Sequence, residues 1–257
     1  MGRAEELQAL TREHRIAQVA TTAPIVAASL QSWDALMDPS DLSGSLGAWV
    51  PVQMGLLQQY RSQSVDLAGR YVADFRAEAI GDRQVSIVTP RLDARQARLM
   101  LMVSGPIAVK QALAKGYAID PAMSMARSAL SLRMQQWALG GGRSTVRDTV
   151  SRDRRARGYR RVTGGSPCAF CAMLVADGAS RGEFRSPDFK SHKNCGCTMQ
   201  PIYGDDSLTA EEETWIDAYE GAANAARAAG EKVTYKTVLP RMRRMHPNLF
   251  SDGVHAH

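Results

Sequence analysis

With 257 residues and 44% hydrophobic content, the chain can form one large or two modest domains around a real core. Aromatics make up only 6%, which favours helices over sheets, and a net charge of +6 with a pI near 9.3 suits nucleic acid, an acidic protein or an anionic surface as partner. No apolar run approaches the ~20 residues of a membrane span; the longest candidate, Leu99 to Val109, is interrupted by Ser104, Gly105 and Pro106, so no membrane partner is expected.

Leu7, Leu10, Ile16 and Val19 recur at helical spacing and predict a helix over 3–20. Pro24 can open a second helix reaching Leu36. Residues 39–47, rich in Ser, Gly and Asp, read as a loop. A long helix is predicted from about Val50 to Ala79, carrying Leu56, Leu57, Tyr60, Val65, Tyr71, Val72 and Phe75. Val85 to Val88, closed by Pro90, reads as a short strand. Helix resumes from Asp93 to Ala108, with a possible extension past Pro106 to Lys115, and Gly116 and Asp120-Pro121 break it. Met123 to Leu139 forms another helix, which Gly140-Gly141-Gly142 is expected to end. Met100, Met102, Met123, Met125 and Met134 read as core filler.

The triple glycine is the expected domain boundary, after a helical module over 1–140. Downstream, residues 144–155 read as a short charged helix and Tyr159 to Thr163 as a strand. A short helix is expected around Met173 to Val175, and strands at Glu183 to Arg185 and Thr198 to Tyr203. Thr209 with Glu212 resembles a capping box for a helix to Ala229, followed by a tail from Tyr235.

All four cysteines lie in one window, ordered Cys168-x2-Cys171-x20-His192-x2-Cys195-x-Cys197. Two thiolates on a turn and a second knuckle about twenty residues later are the ligand spacing of a tetrahedral zinc site. Cys195 and Cys197 flank Gly196, and in an extended segment their side chains point the same way. The favoured ligand set is Cys168, Cys171, His192 and one of Cys195 or Cys197; the alternative is all four cysteines with His192 behind them. Two disulfides would need an oxidising compartment, and the charged N-terminus shows no apolar signal core. A catalytic zinc would need an open position and a nearby base, for which Glu183 and Asp188 are the candidates. A structural role is preferred, because residues 178–194 contain only Phe184 and Phe189 as large apolar residues. Ordering each residue costs ~1–2 kcal/mol, and a bound zinc can supply on the order of 10 kcal/mol.

Eight arginines, Arg143, Arg147, Arg152, Arg154, Arg155, Arg157, Arg160 and Arg161, are set against Asp148 and Asp153. They read as a phosphate-contacting strip or as a solvated face paired with acidic neighbours such as residues 211–213. Few aromatics interleave them, which argues against a stacking platform for single strands. Gly140-Gly141-Gly142 lacks the Lys-Ser/Thr of a phosphate loop. His246, His255 and His257 lie in the tail and carry no motif.

The string from Val162-Thr163-Gly164-Gly165-Ser166-Pro167 through Cys168-Ala169-Phe170-Cys171 to Leu174, then His192-Lys193-Asn194-Cys195-Gly196-Cys197 and Pro201-Ile202-Tyr203, resembles a known family. It is similar to the minor capsid, or MuF-like head morphogenesis, proteins of tailed phages, especially those of actinobacteria. The resemblance covers roughly residues 143–204. Lys193 and Gly196 depart from it, since Pro and Arg are commoner there. Membership implies a structural virion component, present in few copies, inside the head near the portal and made in the host cytoplasm; no convincing nucleophile-and-base pair is found in the residues, so no enzymatic activity is expected. It implies contact with portal or major capsid protein, a role in head assembly and in DNA packaging or ejection, and a homo-oligomer as one option.

The expected architecture is therefore mainly α with a small α+β zinc-stapled domain. An elongated helical module over 1–140 precedes the metal domain over 143–204, and 205–257 form C-terminal helices and tail. Non-specific double-stranded DNA is the expected nucleic-acid partner. The rival expectation is a zinc-containing nuclease or transferase-like enzyme.

Overall fold

A computed structural model describes residues 2–181, 189, 191, 195–204 and 208–253, of which 178–181 through their backbone alone. The expected strand at 183–185 lies outside them. Among the described residues the chain is mainly helical, with one two-stranded sheet. Helices α1 (Arg3–Ala20), α2 (Thr22–Leu36) and α3 (Leu46–Ile80) come first. Next are α4 (Ala94–Ser104), α5 (Pro106–Ala114) and α6 (Ile119–Arg152). Strand β1 (Gly158–Val162), α7 (Ala169–Arg181), β2 (Thr198–Ile202), α8 (Ala210–Ala228) and α9 (Tyr235–Met245) complete the order. No described helix is long and apolar enough to cross a membrane.

Two long helices form the frame. Arg61 Nη1 donates to the Trp137 carbonyl, Gly142 N–H to Ser64 Oγ, and Arg76 Nε to Asp153 Oδ2. These pairs are 76, 78 and 77 residues apart in sequence. A constant offset along two helices means that α3 and α6 run side by side in the same direction. Against α3, α2 contributes Ser29, whose hydroxyl donates to Gln53 Oε1 at 2.8 Å, and Trp33, set edge-on to Trp49. Buried Ile25, Leu57, Leu101, Leu130 and Met134 complete this first core. Fully burying side chains of this size is worth ~1.5–3 kcal/mol each.

The triple glycine does not end a helix. Gly140, Gly141 and Gly142 lie inside α6, which continues to Arg152 and absorbs the separate helix expected at 144–155. The reason is proximity. A Cβ on Gly141 would stand 2.9 Å from the Arg61 carbonyl, and one on Gly142 2.7 Å from the Ser64 carbonyl and 2.5 Å from Gln18 Nε2. The helical cost of glycine, ~1 kcal/mol relative to alanine, is accepted here to bring α6 against α3 and α1. The Gln18 amide seals the contact, donating to the Ser64 carbonyl at 2.8 Å and accepting from Ser64 Oγ at 2.6 Å.

Other departures have equally local causes. The helix expected over 93–108 breaks after Ser104, because Gly105 sits against Trp33 and Trp49 where a Cβ would come within 2.9 Å of the first ring and 3.0 Å of the second. Pro106 then starts α5, a position that needs no N–H. Residues 85–88 pair with no strand; Val88 N–H is satisfied by Thr149 Oγ1 and Ile87 packs on Gly69, so the β-like stretch is a strap over α3 and α6. Met125 is 51% exposed rather than core filler, whereas Met134 is fully buried. The tail from Tyr235 contains α9, whose Val238, Leu239 and Met242 pack with Trp215 and Ala222 of α8 and Ala172 of α7.

Candidate metal centre

The cysteine window is assembled from three directions. Cys168 immediately precedes α7 and its carbonyl accepts from Ala172 N–H at 3.1 Å, so Cys168 and Cys171 occupy the first turn of one helix, three residues apart and on one face. That turn is tied to the C-terminal residues: Ala169 N–H donates to Asp252 Oδ1 at 2.7 Å and Ser251 N–H to the Pro167 carbonyl at 2.9 Å. Asp252 is itself gripped by Arg243, at 2.7 Å from Nη2 and 2.9 Å from Nε. The second knuckle, Cys195-Gly196-Cys197, leads directly into β2, whose antiparallel register with β1 pairs Thr198 with Val162 and Ile202 with Gly158. Val19 of α1 backs this knuckle, 3.4 Å from where a Gly196 Cβ would lie.

The sulfurs converge. Sγ of Cys171, Cys195 and Cys197 lie within 4.8 Å of one another, all three residues are buried, and half-buried Cys168 packs against them. The Cys171 and Cys195 sulfurs are 3.7 Å apart. A disulfide requires ~2.05 Å. A tetrahedral ion with Zn–S bonds of ~2.3 Å places its sulfurs about 3.8 Å apart. The four cysteines are free thiols, and the donor set is one that could hold a metal ion. Both Cys195 and Cys197 join the sulfur group, where one of the two was the favoured expectation. His192 lies outside the described residues.

Charge favours the same chemistry. Arg143 of α6 is buried, donating Nε–H to the Cys197 carbonyl at 3.1 Å and Nη2–H to the Cys195 carbonyl. Its Nη1 is buried with no hydrogen-bond partner among the described residues. Burial pulls the Arg143 pKa down, and the neighbouring Cys195 and Cys197 sulfurs counteract that. An arginine stays protonated in proteins, so this buried cation needs a nearby anion. Hydrogen bonds from Cys171 and Cys197, with the Arg143 charge adding to them, hold the Cys195 thiol well below the usual thiol range. Cys171 moves up, chiefly through its hydrogen bonds with Cys168, Cys195 and Cys197. A second guanidinium, that of Arg161, stacks 3.8 Å above the Phe189 ring, with Arg143 5.5 Å from the same ring.

The structure divides the eight arginines. Arg143 belongs to the cysteine centre, and Arg161 to the Phe189 stack. Arg160 forms a buried ion pair with Glu212, the acid that closes the capping box with Thr209 at the start of α8. Arg147 pairs with its neighbour Asp148 at 2.7 Å. Only Arg152, Arg154, Arg155 and Arg157 are exposed, clustered where α6 turns into β1. Sequence reasoning missed the roles of Arg143 and Asp252; a buried charge and a cap from 83 residues away leave no local pattern.

A family model described as VG15 protein matches residues 3–222, covering the helical frame and the cysteine centre together. No curated protein and no solved structure matches. The match suggests a phage protein. By this match across most of its length, the chain belongs to the VG15 protein family.

Proposed function

We propose that this protein is a structural minor capsid component of a tailed-phage virion, MuF-like and of the actinobacteriophage type, lying inside the head near the portal. In this reading it contacts portal or major capsid protein, aids head assembly and DNA packaging or ejection, and performs no catalysis. Its cysteine centre holds one structural Zn²⁺ through Cys168, Cys171, Cys195 and Cys197, whose thiolates the ion would keep deprotonated.

The observation that carries the structural role is enclosure. Cys171, on α7, and Cys195 and Cys197 are 3%, 3% and 4% exposed, with Val19 of α1 and Arg143 of α6 against the second knuckle. A catalytic zinc keeps an open coordination position for water or substrate; three of the four proposed ligands are buried, and only Cys168 is half-buried. Zinc also suits the surroundings: four thiolates around Zn²⁺ leave a net charge of −2, which the buried Arg143 partly offsets.

Quantifying the chain in purified particles tests the virion reading. A small, fixed number of copies per head supports it; absence from heads removes it. Incubating the protein with plasmid and magnesium tests the enzymatic rival, which requires cleavage that is lost on His192→Ala with zinc retained.

A further inference from the structure

The four exposed arginines stand on a turn that the structure holds from within. Asp153, directly after α6, has a side chain only 7% exposed. One of its carboxylate oxygens accepts from Arg76 Nε at 2.7 Å and from Tyr203 Oη at 3.0 Å, and the other from Arg155 N–H at 3.0 Å. Burial pushes this carboxyl up, but those hydrogen bonds outweigh it and keep the group below the usual aspartate range. Ala156 is buried behind the turn. The backbone is thereby fixed with Arg152, Arg154, Arg155 and Arg157 on its outer side.

The acids nearby are already engaged. Asp82 is 2.6 Å from Arg76, Asp74 pairs with Arg83, and Asp153 pairs with Arg76. Arg152 and Arg154 form no ion pair with a described carboxylate, and Arg155 approaches Asp82 only at 3.9 Å with a side chain 56% exposed. No exposed large hydrophobic residue lies between 126 and 207 among the described residues; Leu99, Val103, Leu113, Tyr117 and Met125 are in the α4 to α6 region. Protein–protein interfaces centre on apolar and aromatic residues, and this turn has none exposed.

We infer that the Asp153-pinned turn carrying Arg152, Arg154 and Arg155 is the contact surface for the phosphate backbone of double-stranded DNA. Planar guanidinium forks match phosphate oxygens. A turn already held in place loses little conformational entropy on binding. Contact of this kind reads no bases, as a component handling a whole packaged genome requires. The inference deepens the virion reading and rests on it for the identity of the DNA.

The test measures binding of the full-length, metal-loaded protein to a short mixed-sequence DNA duplex over a range of salt concentrations. In the Arg152→Ser/Arg154→Ser/Arg155→Ser variant the slope of log affinity against log salt should become shallower by about 2–3, close to one per lost phosphate contact. Asp153→Asn should also bind DNA more weakly, although it removes a negative charge; Asp153 is a positioning residue. An unchanged slope in the triple variant overturns the inference, as does tighter binding by Asp153→Asn. Loss of binding to polyglutamate with DNA binding intact also overturns it and assigns the turn to an acidic protein. Counting the wild-type chain in heads keeps the two ideas apart: its absence from heads sinks the virion reading, whereas an unchanged slope sinks only the DNA surface.

Discussion

Arg143 Nε–H donates to the backbone carbonyl of Cys197 at 3.1 Å, linking the last third of the frame helix α6 to the second cysteine knuckle. The same guanidinium reaches the Cys195 carbonyl, so one side chain orients both halves of that knuckle. It acts on the metal centre in two ways, by fixing the backbone that carries two sulfurs and by supplying positive charge beside them.

Arg143→Met keeps the bulk of the side chain but removes charge and donors. Zinc affinity should fall 10- to 100-fold, the usual cost of losing a group that orients metal ligands. Arg143→Lys should recover only part, since an ammonium cannot reproduce the planar fork. Competition with a chromogenic chelator measures both.

The ligand set is open to direct substitution. With four cysteines as ligands, His192→Ala retains one zinc per chain, whereas Cys168→Ser and Cys171→Ser lose metal or bind it far more weakly. Metal analysis after gel filtration checks this; loss of zinc from His192→Ala would return the histidine to the coordination sphere.

The glycines inside α6 separate packing from propensity. Gly142→Ala forces a Cβ within 2.7 Å of the Ser64 carbonyl and should cost about 1–3 kcal/mol. Gly140→Ala meets only Arg61 Nη1 at 3.4 Å and should be neutral or stabilising by up to ~1 kcal/mol through helix propensity. Denaturant midpoints at constant m-value measure both.

His14 gives the fold a pH dependence of its own. It is buried, stacked flat on Tyr71 with ring centroids 4.1 Å apart, and burial lowers its pKa to about 3. The unfolded chain therefore takes up a proton below the ordinary histidine value of ~6.5 while the folded chain does not, so stability falls as pH drops from there toward 3. At pH 5 the loss should be roughly 2 kcal/mol. His14→Phe retains an aromatic ring against Tyr71 and should remove that part of the slope; the difference between the two proteins between pH 6.5 and 5 isolates it from acid release of metal.

Much of this organisation was legible in the residues. The spacing of Leu7, Leu10 and Val19 marks α1, the Thr209–Glu212 pair marks the start of α8, and the segments from Tyr159 and from Thr198 read as strands, as β1 and β2 are. The cysteine spacing identified the centre itself. What escaped depends on distant contacts. Gly140 to Gly142 read as a break because glycine disfavours helix locally, and only the approach of Ser64 and Gln18 reverses that. The arginine block looked uniform because charge alone does not distinguish Arg143, turned inward onto two carbonyls, from Arg154, turned outward into solvent.

The most direct test is native mass spectrometry of the protein purified without chelator. One zinc per chain is expected, with all four thiols shielded from alkylation until a chelator strips the ion. A metal-free chain with four freely reactive thiols, or one whose mass shows cysteines joined as disulfides, would contradict a metal-stapled centre.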